Sequence, residues 1–322
     1  MKKLAALLCL GLLTGASLAA QSLDIPSKNW GLSIGNSKNF TGLRFNFRDK
    51  RVHRIDGVNV TLWVPSKDND GSVITGLSLG IAPGGDRVRG LQVGVLGAGA
   101  NTSLSGLTVA GLGAGAGDSV SGITFAFGGV GAGENIKGIA IGGLGAGAGE
   151  NVTGLLVGGL GAGAGGNVKG IAIGGLGVGA GENVTGLIVG GLGAGCGNRL
   201  TGVAIGGLGI GAGERIQGIV VGGLGAGAPE IRGLAVGGLG VGGERLKGVF
   251  LALGMVHVPK GGKLTGFGAS SFNYLRGTVR GVTVGIVNYA WRVQTGFQLG
   301  IVNIIRDNPK GLRVLPVFNA GF

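Results

Sequence analysis

Apolar and polar positions recur along most of this chain in one repeating pattern, Gly-apolar-x-apolar, from Gly42 to Gly311. Through the middle, the opening glycines Gly122, Gly138, Gly154, Gly170, Gly186, Gly202 and Gly218 fall 16 residues apart. A fixed internal period marks an architecture built of stacked units. The unit Gly154 to Lys169 reads GLLVGGLGAGAGGNVK, and positions are counted as offsets from its first glycine. Offsets 1 and 3 are apolar, as in Leu155 and Val157 or Ile219 and Val221. Offset 2 is polar in the early units (Arg44, Asn59, Ser78, Gln92, Thr108, Thr124) and in the late ones (Thr283, Gln298, Arg313). That alternation predicts a strand with offsets 1 and 3 buried and offset 2 outside. Offsets 6, 8 and 10 (Leu160, Ala162, Ala164) and offset 14 (Val152, Val168, Val184) complete the expected buried set. Parity then changes twice, at glycines that can turn sharply, so corners are expected at offset 0 and at offsets 4 and 5.

These corners predict an all-β fold, a β-solenoid with one coil per repeat of about 16 residues, stacked about 4.8 Å apart. The alternative is an outer-membrane β-barrel with one strand per repeat. About eleven apolar or glycine residues separate the polar turns, a length suited to a membrane-crossing strand. The chain also ends in Phe318-Asn319-Ala320-Gly321-Phe322, with a terminal aromatic. Offset 2 alternates between Ala (Ala140, Ala172, Ala204, Ala235) and larger residues (Leu156, Ile188, Val220, Phe250), as would suit alternating up and down strands. Against the barrel stand the parity changes, the missing aromatic girdles and the missing polar lumen. The expected organisation is a signal peptide over 1–20, irregular repeats and a cap over 21–121, regular repeats over 122–250, and basic repeats with a cap over 251–322.

Composition sharpens this picture. Glycine makes up 80 of 322 residues, without the strict three-residue period of collagen, and 44% hydrophobic content in periodic positions excludes a disordered linker. Met1-Lys2-Lys3, an apolar run from Leu4 to Leu13 and the small residues Ser17-Leu18-Ala19-Ala20 read as a secretory signal. Cys196 is the single cysteine beyond it, so no intramolecular disulfide is available.

The late units GVTVGIVNYA (Gly281 to Ala290), GFQLGIVNII (Gly296 to Ile305) and GLRVLPVFN (Gly311 to Asn319) resemble the repeats of a bacterial surface-repeat protein family first described from spirochaetes. The shared pattern is Gly-apolar-Gln-apolar-Gly-apolar-apolar-Asn. The central GGLGAGAG units look like a glycine-rich branch, with Gly145, Gly161 and Gly177 where Asn273, Asn288 and Asn303 stand later. The resemblance implies an exported, surface-located protein and brings no catalytic residues with it.

No motif points to catalysis, a cofactor or a metal. His53 and His257 lie far apart without neighbouring cysteines or paired carboxylates. Gly161, Gly163 and Gly166 spell GxGxxG, but no strand-to-helix unit or downstream ribose-binding acid accompanies them. Asp118, Glu134, Glu150, Glu182, Glu214, Glu230 and Glu244 recur at turns, beside Lys137, Lys169, Arg215 and Arg245, and read as a solvated ladder along one edge. Cys196 stands where other units carry Ala and reads as a small buried filler.

Charge is more informative. After Leu251, Lys260, Lys263, Arg276, Arg280, Arg292, Arg306, Lys310 and Arg313 face Asp307 alone. With a formal net charge of +13, an exported chain of this kind is expected to meet lipid head groups or lipopolysaccharide rather than nucleic acid. Trp291, Tyr289, Tyr274 and Phe297 lie among these charges, as at a membrane interface. Leu156, Ile188, Val220 and Phe250 at offset 2 are expected to form an outward stripe for self-association. The function expected is a non-catalytic structural or adhesive scaffold at the outer membrane, cell surface or periplasm. A barrel pore is the alternative, and a polysaccharide-acting β-helix enzyme is disfavoured by the scattered acids.

Overall fold

Glycine spacing sets the coil. In the computed structural model, which describes residues 22–321, each central repeat folds as a long strand, a bend, a short strand and a second bend. In one coil these strands are Asn151–Gly158 and Gly161–Ala164. Each strand pairs in parallel with its counterpart sixteen residues on: Val152 lies opposite Val168, Leu155 opposite Ile171, Gly161 opposite Gly177 and Ala162 opposite Val178. The chain is a β-solenoid. Parallel in-register neighbours overturn the barrel alternative, because consecutive strands of a one-strand-per-repeat barrel run antiparallel. The signal-peptide reading and the terminal Phe322 lie outside the described residues.

Two glycine ladders fix the geometry. Gly154, at offset 0, has φ +126°, and a Cβ there would lie 2.1 Å from the carbonyl oxygen of Gly138 in the adjacent coil. At offset 4, a Cβ on Gly158 would lie 1.9 Å from the carbonyl oxygen of Gly161 across the bend. Neither position accommodates a side chain without displacing backbone.

The facing of the long strand is the reverse of the expectation. Offsets 14, 2, 8 and 10 point inwards, while offsets 1 and 3 lie on the outer face. Leu156, Ile188, Val220 and Phe250 are each 0% exposed, whereas Ile219 at offset 1 is 45% exposed. The expected association stripe is therefore core. Leu160 at offset 6 is also turned out, at 52% exposure. The reason is parity. Within the long strand offsets 14, 0, 2 and 4 are all even, so the glycine at offset 0 twists the strand without exchanging its faces, and an even repeat carries the same facing into the next coil, while offset 6 lies in the bend, outside the strand's alternation.

This placement explains the alternation at offset 2. In three coils offset 2 is Ala and offset 8 is large: Ala172 with Val178, Ala204 with Ile210, Ala235 with Val241. In the three that alternate with them offset 2 is large and offset 8 is Ala: Leu156 with Ala162, Ile188 with Ala194, Val220 with Ala226; outside this run Ala140 stands with Ala146 and Phe250 with Val256. All of these side chains are buried. The two walls of a coil thus share one interior volume, as close packing requires.

The chain divides into two units, Met1–Gly117 and Asp118–Phe322. Within the first, the interior column is polar. Ser33, Arg44, Asn59, Ser78, Gln92 and Thr108 stack in register at offset 2, all buried. Arg44 forms a buried ion pair with Asp49 and donates to Asn59 Oδ1 at 2.6 Å and Asn36 Oδ1 at 3.0 Å. Ser22–Pro26 closes this unit's leading edge by pairing antiparallel with Trp30–Gly35. Within the second unit, the last coils bury an asparagine ladder: Asn273 Nδ2 donates to Asn288 Oδ1 at 2.7 Å, and Asn288 Nδ2 to Asn303 Oδ1 at 2.8 Å. Val314–Ala320 runs antiparallel along the end of the Phe272–Ile305 strand and covers its trailing edge.

Candidate functional site

The inverted facing leaves a broad apolar surface on the second unit. Offset 1 contributes Ile171, Ile219 and Val249, offset 3 contributes Ile173, Ile205 and Val221, and the bend at offset 6 adds Leu144, Leu160, Leu176, Leu192, Leu208, Leu224 and Leu239, all exposed. Successive coils place these residues directly opposite one another, Ile171 against Leu187 and Val203 against Ile219, so each offset becomes a straight row. The path from offset 1 around the bend to offset 6 runs at most about 17 Å, and the stacked coils from Gly122 to Gly296 rise about 50 Å. Followed around the bend, the face covers at most on the order of 800 Å², against the roughly 300–600 Å² of the largest apolar patch on a typical monomer.

Offset 15 shares the outward parity and borders the apolar rows. Lys137, Lys169, Arg232, Lys247 and Arg280 stand in this row, separated by Thr153, Thr185, Thr201, Gln217 and Thr265. Register confirms the alignment: Lys137 lies opposite Thr153, Thr153 opposite Lys169, Gln217 opposite Arg232, Arg232 opposite Lys247, and Thr265 opposite Arg280. Among the described residues of this unit, no carboxylate occupies the row.

The polar corner beyond is a ladder of asparagines and ion pairs. Asn151, Asn167 and Asn183 bond successively, at 3.0 Å from Asn167 Nδ2 to Asn151 Oδ1 and 2.8 Å from Asn183 Nδ2 to Asn167 Oδ1. Arg199 pairs with Glu214 at 2.9 Å, and Glu230 accepts from both Arg215 and Arg232. Burial works to raise the Glu230 pKa, but the hydrogen bonds and charges of Arg232 and Arg215 outweigh it and hold the carboxyl below its ordinary value. The acids and bases expected to form an edge ladder are thus partly joined across coils.

The C-terminal cations are distributed rather than gathered. Lys260, Arg276, Arg280, Arg292, Arg306 and Lys310 are exposed, and Lys263 and Arg313 are half-buried. Three have partners: Arg292 bonds Asp307 at 2.5 Å, Arg280 bonds Gln294 at 2.7 Å, and Arg313 donates to the Asn308 carbonyl at 2.9 Å. Only Arg280 belongs to the row beside the apolar face. Around them Trp291 is exposed, while His257, Tyr274 and Tyr289 form a column with ring centroids 5.7 and 5.2 Å apart.

His53 is exposed in the first unit, and His257 stacks in that aromatic column. Cys196 is a free thiol, and burial, offset in part by backbone hydrogen bonds at Val184 and Asn198, pushes its pKa up. The first unit carries its own outward apolar residues, Leu43, Phe45, Leu91 and Leu107, and an open groove lined by Ile34, Phe45, Phe47, Leu62, Arg48 and Lys50.

Strand-by-strand alternation misses the outward rows, because it places the apolar offsets 1 and 3 in the core. The signal that identifies offsets 1 and 3 is the parity of the long strand, which sets them opposite offsets 14 and 2; the leucines of offset 6 belong to the bend. Among the described residues no helix is long and apolar enough to cross a membrane. No protein-family profile, curated protein or solved structure matches the chain.

Proposed function

We propose that this protein is a non-catalytic, exported scaffold of the cell envelope that adheres through the outward apolar face of its second unit. The carrying observation is the set of apolar rows at offsets 1 and 3, joined from Leu144 to Leu239 by the leucines of offset 6, outside a core already filled at offsets 2, 8 and 14. Contiguous apolar surface of this extent is the mark of an association site. The secretory pattern at the N-terminus and the resemblance to surface-repeat proteins agree with placement in the envelope. Glycine-enforced coils give the face rigidity, since each is locked to its neighbours by in-register pairing and by ladders that admit no side chain.

Fractionation of producing cells tests this reading. The chain is expected in the envelope fraction, resistant to salt extraction and released by detergent. A variant carrying Ile171→Thr, Ile205→Thr and Ile219→Thr keeps β-branched side chains and is expected to shift to the soluble fraction. Recovery of the unmodified chain in the soluble cytoplasmic fraction would refute the proposal.

A further inference from the structure

We infer that the partner of this face is an anionic lipid surface, on which the second unit lies with its apolar rows in the acyl boundary and its basic row among the head groups. The inference rests on the proposed association face and names what that face takes. It follows from the order of rows across the coil. Moving along the long strand, the outward positions are first Lys137, Lys169, Arg232, Lys247 and Arg280 at offset 15, then the apolar residues of offsets 1 and 3, then the leucines of the bend. The face is therefore amphipathic across its width, with cations recurring along its basic edge between uncharged Thr and Gln residues. That distribution joins buried apolar area to cationic attraction, the two terms that hold a peripheral element on an anionic membrane.

A second copy fits less well. Face-to-face sheets pack nearly aligned, and two copies related by a twofold axis in the interface can be arranged in two ways. With the axis parallel to the strands, the basic row of one copy faces the basic row of the other. With the axis along the coil stack, it faces the leucines of the bend. The first opposes like charges and the second sets cationic groups against apolar side chains. A negatively charged lipid surface meets both requirements of the face at once. The carboxylates of Glu134, Glu150, Glu182 and Glu214 sit three positions further from the apolar rows, at the polar corner, and are exposed. Arg199 neutralises Glu214 there. Within the basic row, Arg232 shares Glu230 with Arg215, so that cluster still carries a net positive charge.

Flotation with vesicles of pure phosphatidylcholine, and of phosphatidylcholine containing about a quarter phosphatidylglycerol, tests the inference. Three full-length chains are compared: wild type, K137Q/K169Q/R232Q/K247Q/R280Q, and I171T/I205T/I219T. All share the same N-terminal segment, so its contribution cancels, and thermal unfolding by circular dichroism establishes that each is folded. The wild type is expected to float with the anionic vesicles, the glutamine variant to bind them about tenfold or more weakly, and the threonine variant to lose binding. Equal binding to both vesicle types by wild type and glutamine variant overturns the inference. A chain that ignores vesicles but sediments as a dimer, reverting to monomer in the threonine variant, overturns the lipid partner and leaves the association face standing. A monomer that ignores vesicles overturns both.

Discussion

Ile188 and Ala194 face each other's wall within one coil, and exchanging their sizes is a direct probe of how the core is built. Ile188 is 0% exposed and Ala194 is also buried. Ile188→Ala removes most of a fully buried side chain and is expected to cost about 2–5 kcal/mol, with the cavity adding to the lost transfer energy. Ala194→Ile alone places a second large side chain in the same interior and is expected to cost about 1–3 kcal/mol by overpacking. The double variant reproduces the arrangement of the next coil, Ala204 with Ile210. Total side-chain volume is then unchanged, so the pair is expected to recover about half or more of the summed loss, a coupling of roughly 2 kcal/mol or more. Recovery is expected to be incomplete, because the introduced isoleucine would then stand between Val178 and Ile210, three large side chains in succession along a single wall. Hydrogen exchange of the amides in this coil and its neighbours is the appropriate assay, since a solenoid opens in segments rather than all at once. Leu187→Ala, one residue earlier and on the outer face, is expected to cost about 1 kcal/mol or less. Strict additivity of the two single changes would refute a shared interior, and a Leu187→Ala loss equal to that of Ile188→Ala would refute the assignment of faces.

Other perturbations test the ladders and the titrating groups. Gly154→Ala is expected to destabilise its coil by about 3 kcal/mol or more, because the new methyl meets the Gly138 carbonyl in a strained backbone conformation; chemical denaturation measures it. Glu230 has a folded-state pKa below its ordinary value of 4.5, so its contribution is present above that value and lost as pH falls through the folded-state value. The stability gap between wild type and Glu230→Gln should therefore be open at pH 7 and close in acid, as followed by urea midpoints across pH. Cys196 has its pKa raised by burial, so alkylation in the folded chain should be much slower than in denaturant, and the contrast should persist to mildly alkaline pH. Asn288→Ala removes the central rung between Asn273 and Asn303 and leaves buried amide groups unpaired, with an expected loss of about 1–3 kcal/mol by thermal unfolding.

The stacking is legible in the sequence because a constant 16-residue interval with glycines at offsets 0 and 4 permits few other arrangements of the chain. The facing is not. In coils such as Gly186 to Thr201, offsets 1, 2 and 3 are Leu187, Ile188 and Val189, apolar on both sides of the strand, so alternation carries no direction there. Direction then has to come from the ends, where Arg44, Asn59 and Gln92 at offset 2 suggest a solvent-facing side. Those residues instead form an interior polar column, in which Asn59 Nδ2 donates to Asp49 Oδ2 at 3.1 Å and Gln92 Nε2 to the Pro83 carbonyl at 2.9 Å. A buried polar residue whose partners lie elsewhere in the coil is indistinguishable, in one strand's sequence, from an exposed one. The complementary sizes at offsets 2 and 8 do carry the answer, since two positions that compensate in volume must share a space. Of the site itself, the eight C-terminal cations are visible in the sequence, but only Arg280 joins the row that borders the apolar face. Lys137 and Lys169 read as edge residues there, and nothing in a single repeat marks Arg232 and Lys247, because the row exists only once the coils are stacked.

The narrow core is what forces the outer face to exist. The coils from Gly154 to Gly233 each hold one large side chain and one alanine at offsets 2 and 8, with a further aliphatic residue two positions ahead of the next opening glycine, as in Ala204, Ile210 and Ile216. The same coil carries Val203, Ile205 and Leu208 outside. Widening the interior to take them in would need residues with side chains at the inward glycines, and the backbone contacts at Gly154 and Gly158 exclude that. Exposed aliphatic area of this size stays in water at a cost of about 25 cal/mol per Å² relative to burial, so the rows favour any partner that covers them. Because the repeat is even and in register, every added coil lengthens the apolar rows, and each coil with Lys or Arg at offset 15 lengthens the basic row with them. On the proposed function, coil chemistry would set what the face recognises, and coil number how strongly it is held.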